Sequence, residues 1–192
     1  MANEDFYQEA KDAIRAGMAL VPEDRKTEGA LLDLSVMANL TMPVLSTISM
    51  KGFVNQRRER GRLRDVVSAI NLDPAALNKR VRELSGGNQQ KVVLGRWLLA
   101  DSRILLLHDP ARGVDIGTKE EMFALVRRYA DDGGAVIFHS SDLEEMLLVP
   151  DRVIVLYDGQ VVDDKRREEI VADRLVSSML GDVEQRTGEP AV

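Results

Sequence analysis

Leu84-Ser85-Gly86-Gly87-Asn88-Gln89-Gln90-Lys91 runs without a break into Val92-Val93-Leu94-Gly95-Arg96-Trp97-Leu98-Leu99, and this stretch decides how the chain is read. Paired glycines leave backbone N–H groups uncovered, and the Ser85 hydroxyl stands beside them. An apolar helix follows at once, so the positive end of its dipole points at the same place. The arrangement is that of an anion site. Ser-Gly-Gly alone would also serve as an ordinary capped helix start. The full eight-residue string is much rarer, followed as it is by an apolar helix and then a strand that ends in an acid.

Downstream the pattern becomes that of a sheet. Ile104-Leu105-Leu106-Leu107, Ala135-Val136-Ile137-Phe138 and Arg152-Val153-Ile154-Val155-Leu156 are continuous apolar runs, as expected of strands covered on both faces. Helical segments, Lys119 to Tyr129 and Asp142 to Leu148, lie between them. The alternation predicts βαβ crossovers and a parallel sheet. Asp158-Gly159 predicts a tight hairpin turn into Gln160-Val161-Val162.

Upstream, Phe6, Ala10, Ala13 and Ile14 predict an amphipathic helix from Glu4 to Ala16, ended by Gly17. Met18-Ala19-Leu20-Val21 reads as a short buried strand stopped by Pro22, and Glu23 to Gly29 as a charged loop. From Leu31 to about Leu99 the pattern is mostly helical with no strong strand signal. Ser35 is an expected N-cap for a helix from Val36, and Asp73-Pro74 starts another. The arginine-rich segment Asn55 to Asp65 reads as a solvated helix face, with a phosphate patch as the minority reading. Leu63, Val66, Val67 and Ile70 form an apolar stripe for the core. The expected segments are 1–30 (helix, strand and charged loop), 31–100 (helical), 101–181 (α/β) and a frayed polar tail, 182–192, all within one split domain.

The 192 residues suffice for one domain with a core. A net charge of -6 argues against a nucleic-acid binder, which would normally present a basic face. Without cysteines there is neither a disulfide framework nor a Cys-ligated metal, which fits a reducing cytosol. The acidic start is unlike a secretory signal, and no apolar run approaches the roughly 20 residues that span a bilayer.

The string Ser85 to Lys91 resembles the signature of the ABC ATPases, and the resemblance extends over about residues 14 to 165. With Ala19-Leu20-Val21-Pro22-Glu23-Asp24-Arg25-Lys26, it is similar to one branch in particular: the second nucleotide-binding domain of the tandem ATPases of ribose, galactose and xylose importers. The resemblance implies an α/β, RecA-like fold, with a helical subdomain inserted before a parallel sheet. It also implies a head-to-tail dimer in which Ser85, Gly86, Gly87 and Asn88 contact the γ-phosphate of ATP held by the Walker A loop of another domain. Glu23 would stand at the Q-loop position. Arg112-Gly113-Val114-Asp115 would be the D-loop, with Asp115 bridging the two domains.

The departures carry as much weight. No Gly-x-x-x-x-Gly-Lys-Ser/Thr occurs in the sequence, so the expectation is an incomplete domain whose Walker A strand and helix are missing and lie beyond the N-terminus. Such a loss would expose apolar surface and two strand edges and drive association. Aligned on Pro110, His108 replaces the magnesium-positioning aspartate and Asp109 the catalytic glutamate. Imidazole is a poor magnesium ligand, and Asp109 is one methylene too short for a general base. A one-residue slip would make Asp109 the magnesium ligand with no base behind it. Ser141 takes the switch-histidine position, as is usual in the sugar branch. His139 falls two residues early, with the expected role of a hydrogen-bonded core or edge histidine. A transition-metal pair of His108 and His139 on neighbouring strands is the minority reading.

The function implied is a truncated, signature-donating subunit of a sugar-type ABC importer that does not hydrolyse ATP alone. The alternative is a non-catalytic regulatory or partner-binding module. ATP and Mg²⁺ are expected only at a composite site with a partner's Walker A. The implied partners are transmembrane permease subunits and another nucleotide-binding domain or a second copy, with no nucleic acid. The implied location is the cytoplasm, peripheral at the inner face of the membrane.

Overall fold

The computed structural model describes residues 4–50, 53–54 and 56–181. They divide into two compact units, Met1–His139 and Ser140–Val192. The expected tail, 182–192, lies outside the described residues.

In the first unit, α1 (Glu4–Arg15) leads through Gly17 into β1 (Met18–Val21). Gly17 has φ +86°, a conformation costly for residues with a side chain. The segment expected to be a charged loop instead winds into a π-helical turn, Arg25–Gly29. Asp24 causes this: its carboxylate accepts from Lys26 N at 2.8 Å and Thr27 N at 3.3 Å, and so caps the turn.

The helical segment follows. Ser35 caps α2 (Val36–Thr41) as its position predicts, its Oγ accepting from Ala38 N at 3.1 Å. A 3₁₀ turn (Met42–Val44) and α3 (Leu45–Ile48) lead to two very short antiparallel strands, β2 (Ser49–Met50) and β3 (Phe53–Val54). Two residues each is too little for a periodicity signal, so the sequence does not show them. α4 (Gln56–Ala69) sends Leu63, Val67 and, just past its end, Ile70 into the core. α5 (Gly86–Leu99) runs through the middle of that core, with Val92, Val93 and Leu94 at most 1% exposed.

α5 is tied to its surroundings by polar contacts as well as packing. The Trp97 indole donates to Leu20 O at 2.9 Å, fixing α5 against β1. Arg96 is buried and donates from Nε to Asn39 O (3.0 Å) and from Nη2 to Asn39 Oδ1 (2.9 Å). Asn39 in turn holds the Leu31 backbone through both its N–H and its carbonyl.

β4 (Ile104–His108), α6 (Ile116–Asp131) and β5 (Ala135–His139) complete the unit. The sheet is parallel, in the order β1-β4-β5, with Val21 beside Leu107 and His108 beside His139. Among the described residues neither β1 nor β5 has a strand partner on its outer edge. β4 buries one face fully, at Leu105 and Leu107, while Leu20 of β1 (52% exposed) and Ile137 of β5 (64% exposed) leave their outward faces open, so the expectation of strands covered on both faces is not met.

The second unit holds α7 (Leu143–Leu148), β6 (Arg152–Tyr157), β7 (Gln160–Arg166) and α8 (Ala172–Met179). Arg152 to Leu156 was expected to extend the parallel sheet; instead β6 pairs antiparallel with β7 alone. The Asp158-Gly159 turn, with φ +47° and +75°, brings β7 back at once, and the nearest strand in sequence costs least to close. Val153, Val155 and Leu175 form this unit's own small core.

Candidate functional site

Three segments of the first unit converge around the N-terminus of α5. Ser85 caps the helix, its Oγ accepting from Asn88 N at 3.4 Å, and the residue is exposed. Side chains from the other two segments lie close against the two glycines. A Cβ on Gly86 would stand 2.5 Å from a guanidinium nitrogen of Arg25, and one on Gly87 would stand 2.6 Å from Thr118 Cγ2. Arg25 reaches across from the π turn, and its Nη1 donates to Arg112 O at 3.1 Å. Thr118 comes from the first turn of α6. There Asp115 is the N-cap, accepting from Thr118 N (3.0 Å) and from Thr118 Oγ1 (2.9 Å). These bonds hold the Asp115 carboxyl below its usual 3.8, the backbone N–H of Thr118 contributing most.

The Ser85-to-Asn88 turn, the Arg25 turn and the Arg112-to-Asp115 turn therefore form one connected surface. Ser85 and Asp115 are exposed on it, as is Ile116 at 76%. Arg25 and Thr118 are the residues the sequence reading did not single out for the site. Thr118 was marked only by its position three residues after an N-cap aspartate, and Arg25 only by following Pro22-Glu23-Asp24.

A second cluster lies at the C-terminal ends of the sheet strands. In-register pairing puts the side chains of His108 and His139 on one face, with ring centroids 4.9 Å apart and planes at 74°. Asp109 follows β4 in a left-handed turn (φ +44°), a conformation aspartate tolerates better than most residues. Its N–H donates to His139 O at 2.9 Å, and its own carbonyl accepts from Arg112 N at 3.1 Å. The buried Asp109 carboxylate lies 3.6 Å from His139 Nδ1. Glu23 forms an ion pair with Arg112 and approaches His108 Nε2 at 3.7 Å. His139 is thus an edge histidine with its side chain 65% exposed, rather than a core one.

This donor set does not fit Mg²⁺. The ion demands hard oxygen ligands in near-octahedral geometry, and here two imidazoles flank the single carboxylate of Asp109. The 192 residues contain no Gly-x-x-x-x-Gly-Lys-Ser/Thr string.

Ser141 lies in the second unit, exposed in the turn that leads into α7. Beside it, Ser140 Oγ donates to Glu145 at 2.6 Å and accepts from Asp142 N at 3.0 Å. Among the described residues no helix is long and apolar enough to cross a membrane.

The chain is similar to known proteins. The model of the ABC transporter family matches residues 1–112. The ribose import ATP-binding protein RbsA 1 of Mesorhizobium japonicum is 44% identical over 164 residues, which is 85% of this chain and 32% of that protein. The ribose import ATP-binding protein RbsA of Geobacillus kaustophilus is 41% identical over 151 residues, covering 79% of this chain and 31% of its own length. The chain thus spans about a third of the length of the curated relatives it matches. Among solved structures, the dimeric post-hydrolysis ATP-binding cassette MJ0796 bound to ADP and Pi superposes with TM-score 0.69 at 23% identity, over 86% of this chain and 68% of that one. The ADP form of the cassette MJ1267 gives TM-score 0.71 at 17% identity, over 90% and 69% of the two chains. At such identities the structures establish the fold.

Proposed function

Because the chain belongs to the ABC transporter family, we propose that it is an incomplete ATP-binding unit of a sugar-type importer, one that donates its signature turn to ATP held by another domain. The carrying observation is that Gly86 and Gly87 of the Ser85-to-Asn88 turn lie against Arg25 and Thr118, and so join one surface with Asp115, while the sequence holds no Gly-x-x-x-x-Gly-Lys-Ser/Thr string. Oriented N–H groups at a helix start suit a phosphate arriving from outside the chain. Asp115 and the exposed Ile116 suit the contact with the domain that brings it.

In this reading Glu23 and its Arg112 partner respond to the occupied site, and His108 and Asp109 occupy the Walker B positions without supporting hydrolysis. Ser141 stands at the switch position. Ribose-type cargo is inferred from the relatives' names, and transmembrane permease subunits from the transporter family. Such a subunit would sit at the cytoplasmic face of the membrane. Outer sheet edges without a described partner, together with exposed Leu20 and Ile137, support association with another domain or a second copy.

The test is ATP binding by titration calorimetry and phosphate release with Mg²⁺, for the chain alone and mixed with a cassette that carries a phosphate loop. The expected result is no saturable binding or turnover alone, and mixed-site binding that Ser85→Arg abolishes. Turnover by the chain alone would overturn the reading.

A further inference from the structure

We infer that His108, Asp109 and His139 form a binding site for a divalent transition-metal ion of the zinc class. One ligand atom from each of the three residues lies within 4.8 Å of the other two. Ligands on one tetrahedral ion at bonds of about 2.0–2.1 Å stand roughly 3.4 Å apart, so the cluster must close by about 1.4 Å at its widest. The two imidazoles can supply that movement by small turns about χ1 and χ2, because their side chains are 50% and 65% exposed. Asp109 is the fixed member: its side chain is 8% exposed and its backbone N–H is bonded to His139 O.

The register supplies the reason for the convergence. Parallel pairing of β4 with β5 sets His108 directly beside His139, so both rings leave the same face at the same height. The left-handed turn at Asp109 then folds its carboxylate back toward His139 instead of along the strand direction. Glu23, ion-paired with Arg112 and 3.7 Å from His108 Nε2, can orient that ring, as carboxylates commonly do for ligating histidines. Two nitrogens and one oxygen select zinc, cobalt or nickel over magnesium or calcium. The site would accept a further ligand from solvent.

The chain contains only two histidines and no cysteine, so imidazole ligation by the tag-free protein can come from nowhere else. The probe is Co²⁺, followed by its visible d–d absorption, with Zn²⁺ competition and equilibrium dialysis on the full chain. The expected result is one ion per chain, displaced by Zn²⁺ and unaffected by Mg²⁺. His108→Gln and His139→Gln should each weaken binding by about 100-fold or more, and Glu23→Gln by about 10-fold. Both histidines are exposed, so urea unfolding of the variants should match the parent and confirm that they fold. Absence of saturable Co²⁺ or Zn²⁺ binding would overturn the inference. So would binding that survives either histidine substitution, or one ion shared between two chains.

Discussion

Replacing Gly87 by alanine tests whether the signature turn is braced by α6. The added methyl would stand 2.6 Å from Thr118 Cγ2, 2.7 Å from its Oγ1 and 3.0 Å from its Cβ. Thr118 cannot simply swing aside, since its hydroxyl is bonded to Asp115 at 2.9 Å and its backbone N–H is held by the same carboxylate. Overpacking of this kind costs about 1–3 kcal/mol. Against it stands the better helix propensity of alanine, worth up to about 1 kcal/mol over glycine. The net expectation is a loss of about 1–2 kcal/mol for Gly87→Ala. Thr118→Ala removes the two closest atoms and leaves only the 3.0 Å approach to Cβ. In that background Gly87→Ala should therefore be close to neutral. The double-mutant cycle, read by urea unfolding, should give a coupling of about 1–2 kcal/mol. Additive losses would refute the reasoning, because they would mean that Gly87 and Thr118 are not in contact and that the Ser85-to-Asn88 turn and the start of α6 are separate features.

Three further outcomes follow from the same structure. Asn39→Ala removes four side-chain hydrogen bonds, two to Leu31 and one each to Ser35 and Arg96, and should cost about 4 kcal/mol in urea unfolding. Part of that loss is the buried Arg96 guanidinium, whose pKa desolvation already lowers. Gln90 is 1% exposed and neither atom of its amide has a hydrogen-bond partner among the described residues, so Gln90→Met should stabilise the chain by about 1 kcal/mol; a lower melting temperature would reveal a hidden partner. Glu121 is held below its usual 4.5 by the hydrogen bond and charge of Lys91, and Asp115 below its usual 3.8 by Thr118. Lowered carboxyl pKa values stabilise the folded state above the unfolded values and lose that effect as pH falls through the folded ones. Melting temperature should therefore decline below about pH 4.5, with Glu121→Gln flattening the decline; an unchanged acid limb would count against the Lys91 pairing.

The sequence by itself determined what depends on local chemistry and on strings of residues. Ser35, Asp73 and Ser85 cap helices where their positions say they should, because an N-cap needs only a short polar side chain at a helix start. The hairpin at Asp158-Gly159 was legible for the same reason. The Ser85-to-Lys91 string pointed to the family, and that no Gly-x-x-x-x-Gly-Lys-Ser/Thr string occurs in these 192 residues is read from the sequence alone. Tertiary structure decided what depends on partners far apart in the chain. Nothing in the apolar run Arg152 to Leu156 says which edge it will join, and β6 took the neighbour its hairpin delivered. Thr118 and Arg25 became site residues only because α6 and the π turn press them against two glycines, 31 and 61 positions distant at closest. His108 and His139 read first as a replaced magnesium ligand and a hydrogen-bonded strand histidine, and as a metal pair only in the minority reading. Parallel register, which a sequence does not display, set them ring to ring.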